Sequence, residues 1–174
     1  MLKRVLIIYL LSAAGLFAEL KVGDEAPTFF TKTLDNKSFF LSDSLERNKR
    51  PIVLSFFATW CIPCRKEIPM LDTVRTKYPD IDFFLVNVSG LTQGKKVLKE
   101  DPKLVKKMIE SLGTSMQVLM DKYGTAAEKY DALVLPRLVV IDSKGKIAYA
   151  HTGYEEGDDK KLIEILNGLK IEDK

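Results

Sequence analysis

The sequence predicts an α/β sandwich with a mixed central sheet, and three observations carry that expectation. Short apolar runs without polar alternation, at 52–57 and 81–88, read as strands buried on both faces. Other segments place apolar residues at three- and four-residue steps, the pattern of helices that bury one side. Near the C-terminus two β-rich runs are joined by Ser143-Lys144-Gly145, a turn that makes one strand pair antiparallel.

Taken in order, the β-rich runs 28–33 and 37–41 flank Leu34-Asp35-Asn36, which predicts an N-terminal hairpin. Ser42 then suits the N-cap of a short helix. Pro51 opens the buried strand 52–57, and 61–78 reads as an amphipathic helix through Ile68, Leu71, Val74 and Tyr78, kinked at Pro69. After strand 81–88 comes a polar loop, 89–94. Residues 102–112 form a helix with Leu104, Val105, Met108, Ile109 and Leu112 on its inner face. A strand at 116–120, a short helix at 122–130, strands at 137–142 and 146–150, and a closing helix at 158–169 complete the chain. The last helix buries Leu162, Ile163, Ile165, Leu166 and Leu169.

Composition excludes several classes. With 174 residues, 46% of them hydrophobic and 29% charged, the chain is long enough for one globular core and too mixed to be disordered or polytopic. The 27 basic and 24 acidic residues form no long block of one sign, so no nucleic-acid partner is expected. Two cysteines and one histidine are too few for a zinc site, and no metal is expected.

Residues 1–18 read as a secretory leader: Lys3 and Arg4 precede an uncharged, mostly apolar run, 5–17, that stops before Glu19. That run is shorter than the roughly 20 residues a membrane-spanning helix needs, which favours cleavage after Ala18 over a retained anchor. Cleavage after Gly15 and an uncleaved anchor are the alternatives. No cysteine ends the run, so a lipoprotein anchor is excluded. The mature domain, 19–174, keeps 25 basic against 24 acidic residues and is nearly neutral.

The chemistry concentrates at Trp60-Cys61-Ile62-Pro63-Cys64, between a buried strand and a helix. Cysteines at this spacing and place form a redox-active dithiol. Unpaired backbone N–H groups at a helix start favour the thiolate of Cys61, the expected nucleophile, and Cys64, one turn on, is placed to resolve a mixed disulfide. Pro63 fixes the first turn, where its missing N–H costs little. A structural disulfide is the competing reading for an exported protein, but so short a loop removes little unfolded-chain entropy.

Phe56-Phe57-Ala58-Thr59-Trp60-Cys61-Ile62-Pro63-Cys64-Arg65-Lys66-Glu67-Ile68-Pro69 resembles the active-site segment of the thioredoxin superfamily, in its exported cytochrome c maturation branch of TlpA, ResA and DsbE type. The likeness extends to Val22–Phe29 and to Leu135–Asp142. It implies a thioredoxin-like three-layer α/β/α sandwich with an N-terminal hairpin extension. It also implies a cis Pro136, with the Leu135 backbone free to pair with an extended substrate chain and Trp60 and Pro63 lining the substrate groove. Many thioredoxins carry a buried aspartate six residues before the first cysteine, where this chain has Ser55. Glu67, one turn after Cys64, matches a glutamate of the maturation branch and is expected to exchange the Cys64 proton through water. The position is expected to be mostly solvated, and the competing reading is a surface glutamate paired with Lys66 and without a part in the chemistry. His151 reads as an edge or surface residue.

The expected function is an exported, periplasmic thiol–disulfide oxidoreductase with no cofactor beyond the Cys61–Cys64 disulfide. It reduces disulfides in partner proteins such as apocytochrome c, and an upstream membrane thiol reductase recharges it. The alternatives are a copper-delivery module, which would draw ligands from Cys61, Cys64 and His151, and a disulfide oxidase or isomerase.

Overall fold

A computed structural model describes residues 19–93 and 96–172, so the leader assigned to 1–18 lies outside the described residues. The N-terminal hairpin forms as expected from β1 (Phe30–Thr33) and β2 (Ser38–Phe40), paired antiparallel. Helix α1 (Leu41–Asp43) starts two residues earlier than the capping reading of Ser42 allowed, with Phe40 in the cap position, and runs into a π turn over Ser44–Asn48. Burial of Leu41, which is fully enclosed, decides that start over the hydroxyl cap.

Strand β3 (Ile52–Phe57) is enclosed along its whole length, as its unbroken apolar run requires. Helix α2 (Cys64–Arg75) begins three residues later than the sequence suggests and continues through Pro69. Strand β4 (Asp82–Val88) then pairs parallel with β3. The polar stretch expected to be a plain loop instead contains a separate two-stranded hairpin, β5 (Leu91–Gln93) and β6 (Lys96–Leu98).

Helix α3 (Pro102–Ser111) is capped by the Asp101 side chain, which accepts from the Lys103 N–H at 2.9 Å. It buries Val105, Met108 and Ile109, whereas Leu104, expected inside, is 57% exposed. Strand β7 (Gln117–Asp121), helix α4 (Thr125–Lys129), strands β8 (Arg137–Ile141) and β9 (Ile147–Thr152), and helix α5 (Asp158–Glu172) follow.

Among the described residues the main sheet has seven strands in the order β2-β1-β7-β4-β3-β8-β9. β3, β4 and β7 run parallel, while β8 lies antiparallel on β3, so the sheet is mixed. Side chains alternate across β3 and split the core in two. Val53 and Phe57 pack with α2, α3 and α5 through Ile68, Leu71, Val105, Leu162 and Leu166. Ile52, Leu54 and Phe56 pack on the other face with Leu41, Ala126 and Tyr130. The three-layer arrangement is therefore the expected one.

Parity along β3 fixes the site. Ser55 shares a face with Val53 and Phe57, and so points toward α2. Residue 57 ends the strand four positions before Cys61, which delivers the dithiol to the C-terminal edge of the sheet. Ile68, fully enclosed, is one of the apolar anchors that hold α2 against that face. Ile68→Ala is expected to lower stability by about 2–5 kcal/mol through lost packing and a residual cavity, measured by urea unfolding of the oxidised protein.

Candidate functional site

The turn after β3 is closed by a hydrogen bond from the Cys61 N–H to the Ala58 carbonyl at 3.1 Å. Thr59 and Trp60 are its central residues. Cys61 and Cys64 are joined as a disulfide with their Cα atoms 5.4 Å apart. Although α2 begins at Cys64 and not at Cys61, its first backbone donor still reaches the earlier sulfur: the Cys64 N–H donates to Cys61 Sγ at 3.3 Å. That donor and the positive end of the helix favour a thiolate at Cys61 once the disulfide opens. Cys61 is 3% exposed and Cys64 is fully enclosed, so Cys61 is the more accessible of two cysteines that both lie well inside.

Glu67 corrects the sequence reading. It is 2% exposed, not mostly solvated, and Ser55 Oγ donates to its Oε2 at 2.6 Å. Ser55 itself is fully enclosed. The two features that looked like separate departures from thioredoxin are thus one unit: a carboxylate enters from α2 and is met by a hydroxyl from β3. Burial pushes the Glu67 carboxyl up to about 7, against the Ser55 hydrogen bond, which lowers it; the Asp158 carboxylate adds a smaller upward push. Asp158 stands at the start of α5 with the His151 Nε2 3.5 Å from its Oδ2. His151 is also stacked on Tyr149, and so is an ordered, half-buried residue of β9.

Register places the remaining expected residues. Arg137 pairs with Phe56 across β3 and β8, which sets Pro136 beside the end of β3, and the Leu135–Pro136 bond is cis. The Pro136 carbonyl accepts from the Gly153 N–H at 2.8 Å. Leu135 packs on the core cluster that contains both cysteines. Around them the apolar side chains Trp60, Ile62, Leu133 and Val134 are exposed. Pro63 is the residue before α2, and a shallow hollow of about 410 Å³ joins Ile62, Pro63 and Lys66 to Tyr154 and Glu156. Among the described residues no three His, Cys, Asp or Glu side chains gather as metal ligands.

Sequence reasoning missed Glu100. Its carboxylate accepts from the Thr59 N–H at 2.9 Å, the Thr59 hydroxyl at 3.1 Å and the Asn87 amide at 3.1 Å. The residue follows the β5–β6 hairpin, so neither its distance from Cys61 in sequence nor any periodicity marked it.

The Redoxin family pattern matches residues 21–166. The chain is 30% identical over 135 residues to a thioredoxin-like protein, YneN, of Bacillus subtilis, covering 77% of this chain and 73% of that protein. It is 28% identical over 179 residues to the thiol-disulfide oxidoreductase ResA of Bacillus cereus, covering 97% and 96%. Of solved structures, a thiol:disulfide interchange protein of the thioredoxin family from Chlorobium tepidum superposes with a TM-score of 0.66 at 24% identity, over 87% of this chain and 99% of that one. StoA of Bacillus subtilis superposes with a TM-score of 0.62 at 20% identity, over 80% and 96%. At these identities the two structures establish the shared fold.

A carboxyl raised by burial makes stability depend on pH. The folded protein holds the Glu67 proton up to about 7, whereas the unfolded chain releases it near 4.5. Between those values the folded state binds more protons, so stability falls as pH rises. Glu67→Gln removes this slope. The variant is expected to gain about 3 kcal/mol on the natural protein between pH 4.5 and 7.5, read by urea unfolding of both oxidised proteins; parallel profiles would mean that Glu67 is not held protonated.

Proposed function

This chain belongs to the Redoxin family, among the thioredoxin-like thiol–disulfide oxidoreductases of ResA and DsbE type, and within that activity we propose an exported reductase of partner-protein disulfides. The observation that carries the reading is the buried Ser55–Glu67 pair one turn behind Cys64. A surface dithiol exchanges protons with water directly. An enclosed resolving thiol needs an internal base, and Glu67 is one suited to pH 7.

In the reduced protein the Cys61 thiolate attacks one sulfur of a substrate disulfide. A Cys61–substrate bond forms, the substrate S–S bond breaks, and the other substrate sulfur leaves as a thiolate. The Cys64 thiol then gives its proton to the Glu67 carboxylate and attacks Cys61 Sγ. This forms the intramolecular disulfide and releases the second substrate sulfur, so two electrons have passed to the substrate. Glu67 returns its proton as the dithiol is regenerated by an upstream membrane thiol reductase. Trp60, Leu135 and the cis Pro136 bound the groove in which an extended substrate segment lies. The substrate class we favour is apocytochrome c with its haem-binding cysteines oxidised, encountered in the periplasm after residues 1–18 direct export. The ResA name of the relative supports the activity, and the leader pattern supports the compartment.

Cys64→Ser blocks resolution and is expected to accumulate mixed disulfides through Cys61 in the exported compartment, identifiable after isolation of the adducts. A variant that accumulates none would remove the reductase reading. In stopped-flow reduction of a disulfide peptide between pH 6 and 9, Glu67→Gln is expected to slow resolution about 10²-fold, in the range of a lost general base, while the attack by Cys61 keeps its rate. Unchanged resolution would assign the Cys64 proton to another acceptor.

A further inference from the structure

We infer that Glu100 is a positioning residue for Cys61: its carboxylate sets the turn that aims the nucleophile. The inference rests on the reading of Cys61 as the attacking sulfur.

Thr59 sits at the first corner of the turn closed between Ala58 and Cys61. Every polar group it has is engaged. Its N–H and hydroxyl donate to Glu100 Oε2 and Oε1, and its carbonyl accepts from Arg65 Nη2 at 2.8 Å. The peptide units on both sides of Thr59 are therefore fixed, one by an anion from across the sheet edge and one by a cation from the first turn of α2. Trp60 follows at once and Cys61 next, so a rotation at Thr59 would swing both.

Glu100 is itself anchored. The Asn87 amide, on a fully enclosed residue of β4, donates to Oε2, and the Glu100 N–H donates to Ser89 Oγ at 3.0 Å. The Gly90 N–H donates to the Leu98 carbonyl at 2.7 Å, which ties the two ends of the β5–β6 excursion together beside the end of β4. The carboxylate thus transmits the rigidity of the central strand β4 to the turn. Charge alone argues the other way, because an anion beside the turn disfavours the Cys61 thiolate. Positioning and charge therefore predict opposite results when the carboxylate is removed.

The test is mixed-disulfide formation between a disulfide peptide and the reduced Cys64→Ser protein, followed as a function of pH. In that background, Glu100→Ala is expected to lower the high-pH plateau rate, where Cys61 is fully ionised, about tenfold. The apparent Cys61 pKa should stay or move down. In Glu100→Gln an oxygen at the Oε2 position still accepts from the Thr59 N–H and the Asn87 amide, and the new amide at the Oε1 position can donate to Thr59 Oγ. This variant should recover the plateau to within about threefold of the parent. Urea unfolding fixes the folded fraction of each variant, so rates are compared per folded molecule.

A plateau within twofold of the parent in Glu100→Ala overturns the inference, and so does a loss fully accounted for by unfolding. A Gln variant as slow as the Ala variant also overturns it, because restoring the acceptor for the Thr59 N–H would then not restore the turn. Failure of the Glu100-intact Cys64→Ser protein to react at all is a different result: it removes the role of Cys61 and with it the proposed function.

Discussion

A carboxylate that is 2% exposed has to be satisfied from within, and the Ser55–Glu67 hydrogen bond does this at the contact between β3 and α2. The contact is set by two periodicities. Alternation along β3 turns Ser55 toward α2, and the helical repeat brings Glu67 onto the same inner side as Cys64, Ile68 and Leu71. A one-residue slip in either element would put the carboxylate or the hydroxyl into the wrong layer. The strand register with β4 and β8 and the apolar stripe of α2 therefore decide the chemistry as well as the packing.

The two acidic groups nearest the dithiol do different things because they sit in different surroundings. Glu67 lies behind Cys64, nearly free of water, where burial holds its proton until pH about 7. Glu100 is half-buried, draws three donors onto its oxygens, and holds the turn in front of Cys61. At Glu67 the single hydroxyl of Ser55 does not offset full burial. In the proposed scheme, proton handling and geometry are thus divided between two carboxylates that sequence places 33 positions apart.

The fold was legible wherever one residue's environment followed from its own neighbours in sequence. Ile52–Phe57 is apolar without interruption and is a central strand; Leu162, Leu166 and Leu169 keep a helical step and are buried. The dithiol was legible for the same reason, since its spacing and flanking elements are local. What escaped depended on distant partners. Glu67 looks like a surface residue beside Arg65 and Lys66, and only Ser55, twelve residues earlier on another element, shows why it is inside. Leu104 fits the apolar pattern of α3, yet Val105, Met108 and Ile109 take its buried positions, and the residue stays out. Glu100 had no local signal, because its role is defined by Thr59 and Asn87 after the chain has made and closed the β5–β6 excursion.

Holding an ionised or half-ionised Glu67 inside at neutral pH costs a few kcal/mol, a large part of the roughly 5–15 kcal/mol by which a domain of this kind is stable. Such a cost is tolerated only where packing around it is firm. The structure meets that condition at this place: Ile68, Leu71 and Val74 of α2 are enclosed, and Leu162 and Leu166 of α5 pack in the same cluster. α5 also carries Asp158, whose charge discourages ionisation of Glu67, and His151 stands against Asp158 where it can offset that charge when protonated. The helix that supplies apolar support, and with it the burial that keeps the carboxyl protonated, thus also brings a charge that adds a smaller push the same way. Stability and proton affinity at this site are consequently two readings of the docking of α5 on α2, and a change that loosens α5 would shift both.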